Sequence, residues 1–377
     1  MRFCSLSSVK NRITLGQPLP FSVRDAERML LLARGQVIAD NEQLMALLAR
    51  GALVDVAELA DAMKPARSES QADRLARLPA EWDRGTQDVR KALTAAPDRM
   101  AEALDSATEL MLSLIHCSPE MALSQVVRQT EGGGGHYGMT HSLHAATACQ
   151  AAARYLGWSA EEQRRAFQAA LTMNLGMLDL QARLSTQISP LTPMQREAIH
   201  EHPIRSVEML EAAGIYDADW LDAVLHHHEV PDGSGYPIGL SEVGELAEML
   251  RFADVYTARL SSRANRPAMS AQQAGRELHQ MAAQSPLAAA LIKAFGIFPP
   301  GSLVRLASGE VGLVVRNGDK AHRPMVSALT NAAGEPRQMP VMRDSSRQEH
   351  AVVALLPAQA APIRLSDERV ASLITGL

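Results

Sequence analysis

Histidine is the residue type in this chain that most clearly points to chemistry. The sequence holds 12, and eight fall in one stretch: His136, His141, His144, His200, His202, His226, His227 and His228. Imidazole is a common ligand for divalent transition metals and, once protonated, a partner for phosphate. So dense a group on helix-forming sequence points to a metal or phosphate site. His141 and His144 are three apart and share a helix face. His202 lies on the stripe Ile199, His202, Ser206, Leu210, near the apolar side of a helix-turn-helix. His227 and His228 close a helix whose buried side is Leu221, Val224 and Leu225. Asp254 follows Leu246 and Leu250 at helical spacing, so its carboxylate points at the core. There it needs a metal, a cation or strong hydrogen-bond donors. An ion pair with Arg251 or Arg259 is the structural alternative. The histidine triplet runs into HHHEVPDGSGYP (226–237). In that loop Asp232, Gly233 and Gly235 make a tight polar turn with backbone N–H groups on offer, and Tyr236-Pro237 stiffens its end.

These residues need helices to hold them. Between 131 and 297 the apolar periodicity predicts an all-α domain, with helices near 139–156, 160–176, 192–201, 203–213, 217–229, 242–261 and 270–295. EGGGG (131–135) reads as a break or hinge. Residues 64–130 read as a helical linker, polar and weakly periodic to about 96 and clearly helical from Pro97. Residues 1–63 read as a small β-rich or α/β module, with strands over 13–20, 28–38 and 52–56 and a helix capped by Asp40-Asn41. After Pro299-Pro300-Gly301 the period switches to two. SLVRL, EVGLVV and PMVSAL, separated by turn signals, predict a small β-rich module over 298–377. The expected fold is mainly α: a helical bundle flanked by two small modules.

Composition sets the outer limits. A chain of 377 residues suggests two or three units at about 100–200 residues per domain. Aromatics are 4% of it, so Leu, Ala, Val and Met must build the core. The net charge of −5 argues against a nucleic-acid coat or a basic membrane-surface protein. Cys4, Cys117 and Cys149 are scattered and form no metal pair or disulfide framework, which fits a reducing cytosol. The N-terminal residues lack the apolar core of a secretory signal, and no run of about 18 uncharged apolar residues predicts a membrane span. A cytoplasmic location is expected.

The loop and the histidines together resemble the HD-GYP family, a branch of the HD metal-dependent phosphohydrolases. The family pattern HHE-x-x-DG-x-GYP is met by His227, His228, Glu229, Asp232, Gly233, Gly235, Tyr236 and Pro237. The HS at His141-Ser142, the HP at His202-Pro203 and the ADVY at 253–256 extend the resemblance over roughly 136–290. It implies an HD-type helical bundle, with His141, His202, His227, His228 and Asp254 at metal-ligand positions. Active members hydrolyse cyclic di-GMP with a two- or three-metal cluster of iron or manganese type, and the GYP loop is implicated in docking GGDEF domains. The name-giving dyad segment, H-D-x-G-K, aligns through Gly176 with Met173, Asn174 and Met177 in place of His, Asp and Lys. The family's R-P-Y-R segment becomes Arg263-Ala264-Asn265-Arg266, keeping two arginines for phosphate.

The resemblance thus implies cyclic di-GMP, a related nucleotide or a GGDEF-domain protein as partner. It leaves room for one divalent metal (iron, manganese or zinc) or none. Binding with little or no hydrolysis is the first expectation. An active phosphodiesterase with a reduced metal site is the second, and a metal-free scaffold of the HDOD type the third.

Overall fold

The structure is a computed structural model and describes residues 3–63, 71–129, 137–264 and 266–376. The hinge expected at 131–135, His136 and Asn265 lie outside the described residues. The chain falls into two compact units, Met1–Asp73 and Arg74–Leu377.

The first unit holds strands β1 (Phe3–Ser5), β2 (Val23–Arg24) and β3 (Leu30–Leu32), helix α1 (Asn41–Ala49), β4 (Leu53–Asp55) and α2 (Val56–Met63). Its antiparallel sheet has the order β1-β4-β2-β3. Leu6, Phe21, Val23, Ile38 and Val54 are fully buried within it. Asp40 caps α1 as expected, accepting from the Gln43 N–H. The strand expected over 13–20 is instead a series of turns. Gly16 is left-handed there, and Pro18 and Pro20 have no N–H to give a ladder. The strand expected over 28–38 shrinks to β3, because Arg28 and Gly35 both take positive φ.

The second unit is built on α3 (Gln71–Leu93), α4 (Pro97–Cys117), α5 (Pro119–Arg128), α6 (Tyr137–Leu156), α7 (Ala160–Thr172), α8 (Leu178–Thr186), α9 (Pro193–Ala212), α10 (Ala218–His226), α11 (Glu245–Leu260), α12 (Ala271–Met281) and α13 (Pro286–Phe295). An antiparallel sheet of order β8-β7-β6-β5-β9 follows, made of β5 (Leu303–Leu306), β6 (Val311–Arg316), β7 (Met325–Thr330), β8 (Pro336–Asp344) and β9 (Val352–Leu356), and then α14 (Asp367–Thr375). Helix α6 is the axis. Its small residues Ala145, Ala146, Ala148, Ala152 and Ala153 are fully buried and let α7, α11 and α13 pack directly against it.

Four expectations about these helices change. The helix expected at 270–295 is two, α12 and α13, because Pro286 has no N–H to continue the α12 ladder and instead starts a new helix. Much of the polar segment expected as a linker is α3, one helix that passes through Pro79 and buries Leu78, Trp82, Val89 and Leu93. The helices expected at 192–201 and 203–213 are a single helix, α9, with Pro203 inside it. The helix expected at 160–176 stops at Thr172, and a 3₁₀ turn, Leu175–Met177, leads into α8. Among the described residues no single helix is long and apolar enough to cross a membrane.

Candidate metal centre and its loop

The geometry of the site starts from a missing hydrogen. Pro203 has no N–H, so the Ile199 carbonyl four residues back receives no helix bond from it. That carbonyl accepts the Nδ1 proton of His202 instead. His202 is fully buried, as are Ser206 and Leu210 on the same stripe. At the end of α10 the Val224 carbonyl does the same for His227, taking its Nδ1 at 2.7 Å. Backbone carbonyls thus fix the tautomer of both rings and leave each Nε2 with its lone pair.

Those two Nε2 atoms face each other at 3.2 Å. Ring nitrogens of His202, His227 and His228 all lie within 4.8 Å of one another. Burial pushes His202 down to about 3, with the His227 charge acting the same way. It also holds His227 and His228 below the ordinary imidazole range. All three rings are therefore neutral near pH 7. Nε2 of His228 is buried without a partner. Opposed lone pairs in a dry site repel unless a cation lies between them. Three neutral imidazole nitrogens, two oriented by carbonyls, are a donor set for one divalent ion of iron, manganese or zinc type. On these observations His202, His227 and His228 fit such an ion.

Glu229 closes the loop behind the triplet. Its carboxylate is fully buried and accepts from Ile238 N at 2.7 Å, from Gly239 N at 3.0 and 3.1 Å, and from Leu240 N at 3.0 Å. Gly235 lies so close to the backbone of His228, Glu229 and Val230 that a Cβ would meet it at 2.5–2.7 Å. The peptide bond between Tyr236 and Pro237 is cis. Tyr236 stacks between His200 and His228, with ring centroids 4.4 and 4.5 Å away. It is therefore a wall of the site as well as part of the loop. Asp232 and Gly233 stay exposed at the loop tip, where Asp232 accepts from the Ser234 N–H and hydroxyl. His226 stays outside the cluster and pairs with Asp222 at 2.9 Å.

The remaining ligand-type residues form a second group. His141 Nε2 donates to Asp254 Oδ1 at 2.7 Å. The partner of Asp254 is thus a histidine. Arg259 pairs with Glu277, and the carboxylate recorded beside Arg251 is Glu248. Burial pushes the Asp254 carboxyl up, but the His141 hydrogen bond and the nearby histidines outweigh it, and the net shift is well down. Met173 and Asn174 are fully buried, and both amide atoms of Asn174 lack a partner. Their backbone is pinned to α9. Ser206 Oγ accepts the Gly176 N–H at 2.9 Å and lies 3.0 Å from the Met173 carbonyl. A Cβ on Gly176 would meet the His202 carbonyl at 2.8 Å. A thioether and a neutral amide supply no anion to hold a second ion beside the first, and Met177 brings no charge. These residues do not fit a second metal.

Arg263 and Arg266 follow α11 and bond each other through their backbones. Arg263 Nε donates to the Tyr137 hydroxyl at 3.0 Å, and Arg266 donates to the Ala258 carbonyl. Both are half-buried and already have a partner within the protein. The roles of Ser206 as a backbone clamp and of His200 as a stacking ring had no signal of their own in the sequence. Glu229 did, since it stands inside the quoted motif.

Residues 92–287 match the HD domain family. A cyclic di-GMP phosphodiesterase of Pseudomonas aeruginosa, PA4108, is 30% identical over 284 residues, covering 72% of this chain and 67% of that protein. The chain belongs to the HD domain family, in its HD-GYP branch. A 3'3'-cGAMP-specific phosphodiesterase 1 of Vibrio cholerae is 25% identical over 155 residues, 40% of this chain and 35% of that one. Among solved structures, Bd1817, an HDG"Y"P protein from Bdellovibrio bacteriovorus, aligns over 77% of this chain and 97% of its own with a TM-score of 0.48 at 16% identity.

Proposed function

We propose that this HD-GYP protein works in cyclic di-GMP signalling by binding, with little or no hydrolysis. Its ligand would be cyclic di-GMP or a related cyclic dinucleotide, the class named for its Pseudomonas and Vibrio relatives. The observation that carries this reading is Asn174, buried with both amide atoms unpartnered where the family's dyad has its carboxylate. Two divalent ions about 3.5–4 Å apart need an anion between them. An amide offers one carbonyl oxygen and no charge. One ion held by His202, His227 and His228 would supply a Lewis acid to a phosphoryl oxygen. Arg263 and Arg266 would stand on the phosphate side, and Met177 leaves that side without the family's lysine. The exposed turn at Asp232 and Gly233, backed by the Glu229 clamp and Tyr236, Pro237 and Gly235, would offer a rigid face to a GGDEF-type domain. The modules at 1–63 and 298–377 would add contacts, and the setting would be the cytoplasm.

The intact three-histidine cluster favours a second reading, a phosphodiesterase running on a single ion. Elemental analysis of purified protein beside a cyclic di-GMP hydrolysis assay separates the two. At most one ion per chain, ligand binding and no release of pGpG support binding. Sustained turnover supports the second reading.

A further inference from the structure

Arg251 is a charged group of the site region with no hydrogen bond to any described residue. On α11, Arg251, Asp254 and Ala258 fall at i, i+3 and i+7 and form one stripe. In its middle Asp254 takes the His141 proton, and at one end the Ala258 carbonyl takes the Arg266 guanidinium. Arg251 stands at the other end, one helical turn before Asp254. Its side chain is 12% exposed, and the carboxylate recorded beside it, Glu248, is 4.0 Å away, beyond hydrogen-bond length. Its Nε is buried without a partner. Asp232 is already engaged by Ser234, and the Phe252 ring at 4.6 Å from the guanidinium carbon is an added contact that takes none of its hydrogen bonds. A guanidinium carries five donors. One of them, Nε, is buried unmet, which is costly.

We propose that Arg251 is an anion-binding residue of this site, gripping a phosphate oxygen of the ligand from its end of the α11 stripe. It deepens the cyclic-dinucleotide reading and rests on it. Arg266 is anchored at Ala258, seven residues along the helix, which puts the two ends of the stripe about 10 Å apart. Arginines at both ends of such a stripe suit a ligand with two separated phosphodiesters better than a mononucleotide. The charges agree. One divalent ion with Arg251 and Arg266 outweighs the carboxylates of Asp254, Glu248 and Asp232, so the site keeps a net positive charge that suits an anionic ligand.

The test uses the full chain carrying its metal, with titration calorimetry against cyclic di-GMP and against GMP, for the parent and for Arg251→Met and Arg251→Lys. The parent is expected to prefer the cyclic dinucleotide. Arg251→Met should weaken it about ten- to a hundredfold, the range of one or two charged hydrogen bonds, and Arg251→Lys should recover part of the loss. Metal content should hold, and the melting temperature of Arg251→Met should stay about level, because the long Glu248 pair is lost together with a buried unmet Nε donor. Unchanged affinity, or a loss that comes only with a lower melting temperature, overturns the assignment. If the parent binds no cyclic dinucleotide, the ligand reading fails instead. Inorganic pyrophosphate then tests the arginine by itself: retention by the parent and loss in Arg251→Met support it, and equal behaviour of the two overturns it.

Discussion

The Glu229→Gln substitution isolates the part of the site that shapes the loop. In the parent each carboxylate oxygen accepts two backbone N–H groups, Ile238 and Gly239 on one, Gly239 and Leu240 on the other. Glutamine keeps one oxygen and turns the other into an NH₂ group. The Leu240 N–H then faces a donor, and the remaining bonds lose their charge. A lost charged hydrogen bond of about 1.5–3 kcal/mol and an orphaned buried donor of about 1–3 kcal/mol sum to roughly 2.5–6 kcal/mol. That energy falls on local opening of the loop, since among the described residues no other hydrogen bond holds the amides of 238–240. Amide hydrogen exchange reads it directly. Protection at Ile238, Gly239 and Leu240 should drop by about two to four orders of magnitude, on the basis of about 1.4 kcal/mol per tenfold. Amides in the middle of α6 should be untouched. Unchanged protection at Leu240 would refute the reasoning, because it would mean that the carboxylate is not what holds the turn.

Three other outcomes are expected. Pro203→Ala gives the Ile199 carbonyl a second suitor. Helix stability should rise while metal affinity in a chelator competition falls about tenfold, the lower end for losing an orienting partner; equal affinity would show that the carbonyl does not orient the ring. For the metal-free protein, His144 and His202 are each held down to about 3, chiefly by burial, against about 6.5 when unfolded. The unfolded chain therefore binds protons first. Stability is fully present above about pH 6.5 and falls toward about pH 3, by up to about 1.4 kcal/mol per pH unit for each ring; a denaturation midpoint that is flat from pH 7 to 5 would contradict neutral buried rings. Met173→His with Asn174→Asp restores an anion and a nitrogen ligand, and elemental analysis should show more metal per chain; no increase would mean that the 173–177 segment does not face the metals.

The candidate site residues are more legible in the sequence than the elements that carry them. The stripe through His202, Ser206 and Leu210 and the inward aim of Asp254 follow from helical spacing, which packing preserves. The continuity of α9 was hidden because proline is a helix breaker by propensity, and His202 fills the carbonyl that the proline leaves open. The polar segment before Pro97 looked like a linker because its buried residues, Leu78, Trp82 and Val89, are few among many charges. The edge strands β8 and β9 were missed for a related reason. Much of their length is exposed, as Met339 and Val353 show, so the alternation that marks a half-buried strand is weak. Arg251 gave no signal, since an arginine one turn from an aspartate reads as its ion-pair partner, and only coordinates reveal that a histidine took that place.

The main chain of the turn before α8 is tethered by atoms that belong to none of the side chains of Met173, Asn174 and Met177. The Gly176 amide, the Met173 carbonyl and the absent Cβ at 176 make the contacts with Ser206 and His202. Positions 173, 174 and 177 can therefore exchange their chemistry without shifting the scaffold. A different set of side chains at these three positions need not unravel the bundle, and exchanging them would be a matter of a few codons rather than a new architecture.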